Sequence, residues 1–443
     1  MKEGTPRQLL SAQTGQPFAL RNLRLPQGTV PKAGLPQVGD GLLGADMVIA
    51  DRHIDWLGPP ASRDDLPDGL DMARVMAWPG PVDCHTHLDK ALVSQRSPNA
   101  DGTFDGAAAS ASRDAAAYHC ADDIRQRARF ALRTAFAHGT TAIRSHVDAG
   151  RSSFGEAFAT LCELADDWRD RITLQVCPFV GIEEDLDWVR DVAERARHDH
   201  SGILSVFVPA NSELDRALDN VMAIAGRYDL QLDLHADEIL DPESRGLDAI
   251  ARAVLRNGFD RPVLVGHCCA LSVQPPQMLD RTLERVAKAG IGVVSLPLCN
   301  AYLMDRRTGE TPRYRGCAPV HEMRKHGIPV AIASDNVRDA FYAYGDHDVP
   351  ELFRDAVRMM QLDHPLGDWA MAVTTTAADL MGLPGRGRLE PGAPADLVLF
   401  TARNWGEFIS RPLSDRIVLR DGYPIDATPP DYRHLDDVKG VRI

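Results

Sequence analysis

The sequence lacks the features that mark several common classes of protein. No segment reaches the ~20 consecutive apolar residues of a membrane-spanning helix, although 44% of the residues are hydrophobic. Basic residues are not in excess, and the formal net charge of −14 argues against nucleic acid or an anionic membrane surface as the main partner. We therefore expect no nucleic-acid partner and no membrane association.

The cysteines also lack a pattern that would bind metal or form disulfides. None of the eight has C-x-x-C spacing, and Cys84, Cys177, Cys268 and Cys299 lie in or beside apolar segments, where cysteine behaves as a small hydrophobe. The N-terminus has no basic-then-apolar arrangement of a signal peptide. These absences predict a protein of the reducing cytoplasm.

Eight apolar, β-rich segments alternate with amphipathic stretches from residue 81 onward. The predicted strands are 81–87, 140–148, 172–179, 203–209, 230–237, 262–268, 291–297 and 329–335. Between them, stretches such as 183–197, 213–228 and 276–290 repeat apolar residues at spacings of three and four, which indicates helices packed on a sheet. This alternation predicts an α/β fold with a (β/α)8 TIM-like barrel over residues 81–386.

The segments that flank the barrel differ from it in pattern. Residues 18–80 and 387–430 contain short strands and turns without helical periodicity, so we predict that they combine into one small β-sandwich domain. Residues 101–119 are rich in alanine and are predicted to form a loop and a helix over the barrel mouth. Whether that segment acts as a lid is left open.

The segment PVDCHTHLDK (81–90) places two histidines at the end of the first predicted strand. Because side chains alternate along a strand, His85 and His87 face the same side. The motif alone is weak evidence, since chance predicts ~0.5 His-x-His triplets in a chain of this composition. A second triplet, His198 and His200, follows a predicted helix and is expected to lie in a solvated loop at the opposite face of the barrel.

Position in the barrel separates the two histidine pairs. Active sites of such barrels lie at the C-terminal ends of the strands. His85 and His87 lie there, and so do four further residues: His146, His235, His267 and Asp335. Their grouping on one rim predicts a metal site rather than a set of core histidines.

Imidazole and carboxylate ligands suit Zn²⁺ or Fe²⁺ with one position left for water. The fourth predicted strand has no lysine to be carboxylated and bridge two metals, so one divalent metal ion is expected. Glu238 lies three residues after His235, where a carboxyl group can transfer protons without being a ligand.

These motifs resemble the amidohydrolase superfamily, and within it the bacterial cytosine deaminase group and its relatives acting on s-triazines and other N-heterocycles. The segments that carry the resemblance are 85–90, 235–245, 266–271, 296–306 and 333–345, and it extends from about residue 18 to 430. It implies a hydrolase that replaces a ring C–NH2 by C=O and releases ammonia, using a metal-activated water.

The resemblance also implies a role for each residue of the predicted rim. It makes His85, His87, His235 and Asp335 the metal ligands. It makes Glu238 the general acid that protonates a ring nitrogen. His267 is implied to orient or polarise the attacked carbon's substituent, and Asp335 to accept the proton of the water.

The predicted substrate-binding positions depart from the cytosine deaminase pattern. The glutamine that reads the pyrimidine amide edge corresponds to Phe179 or Val180, the aspartate after the last ligand to Asn336, and a loop tryptophan to Phe341. Apolar groups there would leave polar edges of cytosine unpaired, at about 1–3 kcal/mol per group. The departures predict a different heterocycle, larger or less polar than cytosine.

Two further residues are predicted beside the substrate. Lys90 is expected either in a structural ion pair, with Asp89 as the candidate, or against a substrate carboxylate or carbonyl. His146 is expected to line the pocket, with support of the metal ligands as the alternative.

Two alternatives to the deaminase remain. One is a hydrolase of a cyclic amide or an N-substituted triazine with the same metal site, and the other is a non-catalytic protein with a structural metal. Retention of Glu238 and His267 beside the ligands argues against the latter. The expected partners are a small N-heterocyclic substrate and further copies of the chain in a homo-oligomer.

Overall fold

A computed structural model describes residues 16–31, 34–151, 153–198, 202–210, 214–412 and 414–440. The chain forms two compact units. One comprises the described residues of Met1–Val82, Arg133–Ala142 and Asp348–Pro429, and the other those of Asp83–Leu132, Ile143–His347 and Pro430–Ile443. This division by contacts is not the same as the predicted domains 18–80 with 387–430 and 81–386, whose boundaries stay a prediction.

The strands of the described residues follow one another along the whole chain. They are β1 Phe18–Pro26, β2 Gln37–Gly39, β3 Leu42–Ala50, β4 His53–Gly58, β5 Gly69–Asp71, β6 Met76–Pro79, β7 Val82–Thr86, β8 Ala142–Asp148, β9 Thr173–Gly181, β10 Ile203–Val208, β11 Gln231–Ala236, β12 Val263–His267, β13 Gly292–Ser295, β14 Val330–Ile332, β15 Leu397–Phe400, β16 Ile417–Arg420 and β17 Tyr423–Pro424.

The helices alternate with the central strands. They are α1 Phe104–Tyr118, α2 Ala121–His138, α3 Phe154–Trp168, α4 Leu186–His198, α5 Leu214–Tyr228, α6 Gly246–Asn257, α7 Pro276–Lys288, α8 Pro297–Leu303, α9 Val320–Lys325, α10 Val349–Met360, α11 Thr375–Leu380 and α12 Trp405–Ser410. Short 3-10 helices occur at Gln27–Thr29, Cys269–Val273, Trp369–Val373 and Tyr432–Leu435.

Strands β7 to β14 form one eight-stranded sheet in sequence order, as the alternation of strands and helices predicts. The sheet closes where Thr86, at the end of β7, bridges in parallel to Asp335 after β14. The Thr86 hydroxyl donates to the Asp335 carbonyl at 2.7 Å, and the Asp335 N–H donates to the His85 carbonyl at 2.8 Å. The TIM-like barrel prediction is confirmed, and its closure brings the last strand against the first histidines.

The helices between the strands bury one face each. In α6, for example, Leu247, Ile250 and Val254 are buried at the spacing of a helix that packs on a sheet. The stretches predicted as helices at 183–197, 213–228 and 276–290 form α4, α5 and α7. The predicted 101–119 helix is α1.

The N- and C-terminal strands combine in one nine-stranded mixed sheet, which confirms that the two chain ends build a common β region. Its path runs β17-β16-β15-β6-β1-β3-β2, with β4 paired to β3 and β5 to β1. Residues 387–430 also contain one short helix, α12, which the lack of helical periodicity in this segment did not reveal. That helix has six residues, too few for a periodic pattern, and is set by the Asn404 N-cap and the buried Phe408.

Within the described residues, no helix has both the length and the apolar character that crossing a membrane requires.

Candidate active site and metal centre

Barrel closure brings His85, His87 and Asp335 together. His85 and His87 alternate with Thr86 at the end of β7, so both rings face the barrel interior while Thr86 pairs with the backbone of Asp335. Asp335 Oδ1 lies 3.5 Å from His85 Nε2 and 3.3 Å from His87 Nε2. All three side chains are buried.

His235 joins this group from the end of β11. Ligand atoms of His85, His87 and His235 lie within 4.8 Å of one another, and the same limit holds for His85, His267 and Asp335. The structure therefore brings together the four predicted ligands and His267. It does so through the ends of β7, β11, β12 and β14, with no residue from a distant loop.

The donor set fits a divalent metal ion. Both ring nitrogens of His235 and both carboxylate oxygens of Asp335 are buried without a hydrogen-bond partner, as is His85 Nε2. Each such group costs about 1–3 kcal/mol when nothing compensates its lost hydration. A cation shared by converging nitrogen and oxygen atoms supplies that compensation.

Electrostatics keep these groups in their ligand forms. Burial, together with the neighbouring imidazoles, lowers the pKa of His235 well below its usual value, so its ring is neutral. Burial alone would raise the pKa of Asp335, but His85 and His87 outweigh it and hold that pKa well below the usual range. Neutral imidazoles and an ionised carboxylate are the forms that bind a metal.

Glu238 lies beside this cluster. It follows β11 by two residues, and its Oε1 is 3.3 Å from Nδ1 of His267. Burial first, and the Asp335 charge second, raise the pKa of Glu238 well above its usual value. A raised pKa favours the protonated form of the carboxyl group, which is the form that general acid catalysis requires.

His267 is held neutral and in a fixed orientation. Burial lowers its pKa to about 3. The Asn300 amide lies 3.0 Å from His267 Nδ1, and Nε2 is left without a partner in the cavity wall. Asn300 was missed by the sequence analysis, because its contact with β12 arises only when α8 folds back onto the barrel rim.

The backbone is strained at two of these positions. His267 has a φ of 70° and Asp335 a φ of 60°, both in the left-handed region that side chains other than glycine rarely occupy. Such residues cost about 1–3 kcal/mol each and persist where the surrounding structure holds them. Here the strain aims both side chains at the cluster.

His146 lies behind the cluster, and the prediction that it lines the pocket is wrong. Its ring is fully buried, with Nε2 3.2 Å from His85 Nδ1 and Nδ1 2.8 Å from the Ser205 hydroxyl. It is absent from the residues around the cavity. Deeper in the barrel, Arg144 pairs with Asp233 at 2.8 Å. Its contact with His85 favours the alternative interpretation, in which His146 supports a predicted metal ligand.

A cavity of about 420 Å³ opens beside the cluster. Its wall includes catalytic and substrate-binding residues predicted from the sequence, namely His87, Lys90, Phe179, His235, Glu238, His267, Asp335, Asn336 and Phe341. Phe179 lies with its ring centroid 4.4 Å from that of His235. The sequence left Phe179 and Val180 as alternatives, and both border the cavity.

Lys90 forms an ion pair, but with a different partner from the one predicted. Its Nζ lies 2.6 Å from Asp148 Oδ1, whereas Asp89 accepts from the Lys90 backbone N–H at 2.9 Å. Burial opposes the charge, but Asp148 and Asp89 outweigh it and raise the pKa of Lys90. The ammonium group lies 6.0 and 5.7 Å from the ring centroids of Phe179 and Phe341, at the cavity wall.

The loop after β14 is ordered by Asp339. Its carboxylate accepts from the Asn336 amide at 2.6 Å and from the Phe341 backbone N–H at 2.8 Å. Asn336 and Phe341 are therefore fixed in the cavity wall.

Other cavity residues were missed by the sequence analysis. Phe207 lies two residues after Ser205 on β10, on the same side of that strand, so alternation along β10 was an available signal. Phe104 lies in the segment considered as a lid. Of the second histidine triplet, His198 is exposed at the end of α4 and does not border this cavity, and His200 lies outside the described residues.

Known proteins resemble this chain in sequence. A family model described as "Amidohydrolase family" matches residues 164–412. The pterin deaminase of Rhizobium rhizogenes is 44% identical over 426 residues, covering 96% of this chain and 97% of that protein. The N-isopropylammelide isopropyl amidohydrolase of Pseudomonas sp. is 25% identical over 350 residues, covering 76% and 82%.

Solved structures share the fold. The 5-methylcytosine deaminase of Klebsiella pneumoniae superposes with a TM-score of 0.79 at 24% identity, covering 92% of this chain and 97% of that one. The N-isopropylammelide isopropylaminohydrolase of Burkholderia multivorans gives a TM-score of 0.72 at 25% identity, covering 92% and 97%.

Proposed function

Because this chain belongs to the amidohydrolase family, we propose that it is a metal-dependent hydrolase that deaminates a pterin, replacing the ring C–NH2 by C=O and releasing ammonia. The observation that carries the deaminase chemistry is the buried carboxyl group of Glu238, 3.3 Å from His267, beside a cluster of metal-ligand groups on one cavity. The pterin class rests on the 44% identity to a pterin deaminase along almost the whole of both chains.

In this proposal His85, His87, His235 and Asp335 hold one divalent metal ion, zinc or iron. The bound ion would supply Lewis acidity that makes water nucleophilic at neutral pH. A single ion is favoured because Ser205 and Phe207, on one side of β10, are not metal ligands. Strand β10 is the fourth barrel strand, which has no lysine that could be carboxylated and bridge two metal ions.

The protein's own groups manage the protons. Glu238 donates its proton to the ring nitrogen next to the amino-bearing carbon, and Asp335 accepts a proton from the attacking water. His267 borders the same cavity and orients the carbon's substituent. The balance closes: the water oxygen becomes the carbonyl oxygen, and the Glu238 proton ends on the ring nitrogen. Of the two water protons, one passes from Asp335 to the leaving amino group, which departs as ammonia, and the other restores the Glu238 carboxyl group.

The cavity wall would position the substrate. Phe179 and Phe341 offer ring faces to a planar heterocycle, and the Lys90 ammonium lies near both rings, where it can donate to a ring carbonyl. Asn336 presents an amide at the same wall. The absence of the glutamine that reads the pyrimidine amide edge, at the position of Phe179 or Val180, agrees with a substrate other than cytosine.

The test is ammonia release by metal-reconstituted protein with pterin, cytosine and ammelide as substrates. We expect turnover of pterin, and a fall in kcat of about 10²- to 10⁴-fold in Glu238→Gln with metal content unchanged. Glu243→Gln, the same change at an exposed position of the same loop, is the matched control and keeps full activity. Full activity of Glu238→Gln would overturn the assigned general acid.

A hydrolase of an N-substituted triazine is the second candidate, favoured by the 25% identity to an N-isopropylammelide hydrolase. It shares the metal site but releases an alkylamine. Adding N-isopropylammelide to the same panel distinguishes the two, because isopropylamine without ammonia would identify the second activity. We further propose a cytoplasmic homo-oligomer, which sedimentation of the purified protein and fractionation of the source cells would test.

A further inference from the structure

Helix α1 contributes one side of the cavity wall. Its members there are Phe104, Ala108, Ala111, Ser112 and Ala115. These positions recur at spacings of three and four residues, so they lie on one face of the helix. Apart from Phe104, these side chains are small, and the alanines leave space along that face.

The helix is fixed in place by buried polar contacts. The Arg96 guanidinium donates to both carboxylate oxygens of Asp114, at 2.8 and 2.9 Å, and both side chains are almost completely buried. The hydroxyls of Ser110 and Ser97 are 2.9 Å apart, and the Thr103 hydroxyl caps the first turn by accepting from the Gly106 N–H at 3.0 Å. These contacts hold α1 in a fixed position in the cavity wall.

Four phenylalanines complete the apolar part of the same cavity. Phe104 lies 5.6 Å from Phe341 and 6.1 Å from Phe207 between ring centroids, and Phe207 lies 6.3 Å from Phe179. The cavity is therefore bordered by flat aromatic faces and by the alanine face of α1. At about 420 Å³ it is larger than one six-membered ring.

We propose that Ala108, Ala111 and Ala115 determine substrate specificity by leaving room for a second ring fused to the ring that is deaminated. This inference rests on the proposed function and adds residues that set the size limit. Because α1 is anchored through Arg96 and Asp114, a larger side chain on this face takes space from the substrate. A wall that moved freely would not discriminate in this way.

The experiment compares Ala111→Leu with Ala116→Leu, an identical change at an exposed position of α1. Each variant and the wild type are assayed with pterin and with isocytosine, the single ring that carries the same amino group and lactam. If isocytosine is not turned over, its inhibition constant against pterin is used instead. Metal content and Tm are measured for all three proteins.

We expect Ala111→Leu to lower kcat/KM for pterin by at least about tenfold through KM, and to change the value for isocytosine by less than about twofold. Ala116→Leu should match the wild type with both. An equal loss for both rings, or no loss for either, would overturn the inference.

The outcome for the wild type separates this inference from the proposed function. If the wild type binds pterin, as measured by quenching of pterin fluorescence, but releases no ammonia, the proposed function fails. The variants are then compared by pterin affinity, and the same tenfold difference supports the inference. Absence of pterin binding by the wild type would overturn both.

Discussion

The two sides of the cavity differ in how they are built. The side formed by the strand ends carries His87, His235, Glu238, His267 and Asp335, whose polar atoms lack ordinary hydrogen bonds or have displaced pKa values. The side formed by α1 and the phenylalanines is apolar, and its helix is anchored by buried ion pairs. The side formed by the strand ends positions reactive groups at a cost in stability. The side formed by α1 and the phenylalanines sets the size and shape of the cavity. Chemistry and substrate choice should therefore respond separately to mutation.

The largest expected effect is at the ligand side. His235→Ala removes one of the predicted metal ligands from a buried cluster. We expect metal content to fall and ammonia release to drop by about 10³-fold or more, because metal activation of water contributes several kcal/mol. Atomic absorption and kcat measurements check this.

His198→Ala is the matched control for that change. His198 is exposed at the end of α4 and belongs to the other His-x-His triplet. It should bind metal and turn over substrate as the wild type does. Full metal content in His235→Ala would contradict the assigned ligand set.

The next largest effect is expected at His146, which contacts the predicted ligand His85. His146→Phe keeps the ring's bulk but removes the contact between its Nε2 and His85 Nδ1. We expect metal affinity to fall about 10- to 100-fold, since partners of this kind orient the ligands they contact. Competition with a chelator measures the affinity, and an unchanged value would mean that the His85 ring is oriented by packing alone.

The strands and the ligand positions were predictable because both depend on local sequence. An apolar run between amphipathic stretches defines each barrel strand, and alternation puts His85 and His87 on one side. The partner of Lys90 was not predictable, because Asp148 is remote in the chain and meets it only when β8 pairs beside β7. For the same reason the sequence did not reveal that His146 faces His85 instead of the cavity.

The shape of the opposite side was even less accessible to sequence. An alanine-rich stretch predicts a helix, but which alanines face a cavity depends on how Arg96 and Asp114 fix its rotation. Phe104, Phe207 and Phe341 likewise come from three separate segments. A histidine or a carboxylate can be recognised in the sequence as a candidate for catalysis or metal binding. An alanine or a phenylalanine is recognised as part of a cavity wall only when the residues around it in the fold are known.

Lys90→Met tests whether substrate binding and catalysis respond separately to mutation, because Lys90 is expected to bind substrate without taking part in proton transfer. Methionine keeps the length of the side chain, and Asp148, whose side chain is 49% exposed, can be solvated when its partner is lost. We expect KM to rise about tenfold, the value of one charge-assisted hydrogen bond, with kcat changed little. Steady-state kinetics give KM and kcat for Lys90→Met and for the control Lys288→Met, which changes an exposed lysine. A loss confined to kcat would mean that Lys90 takes part in the chemical step instead of in substrate binding.

The smallest effect on turnover is expected from a change of Asp114, which anchors α1 on the apolar side of the cavity. Burial would raise the pKa of Asp114, but hydrogen bonds from His119 and Arg96 outweigh it and lower that pKa. The folded protein therefore binds this proton less readily than the unfolded chain. The resulting stability is fully present above the unfolded pKa of about 3.9 and is lost as pH falls through the folded value.

Asp114→Asn removes that carboxylate while keeping its shape. At pH 7 we expect the free energy of unfolding to fall by about 1–3 kcal/mol, and its decline between about pH 5 and pH 3 to become shallower than in the wild type. Denaturant titrations across that range measure both quantities, with Asp105→Asn, at an exposed position of the same helix, as the control. An unchanged pH slope would mean that the Arg96 contact adds no stability. In that case α1 would be held mainly by its apolar face, and the two sides of the cavity would differ in their chemistry but not in how they are anchored.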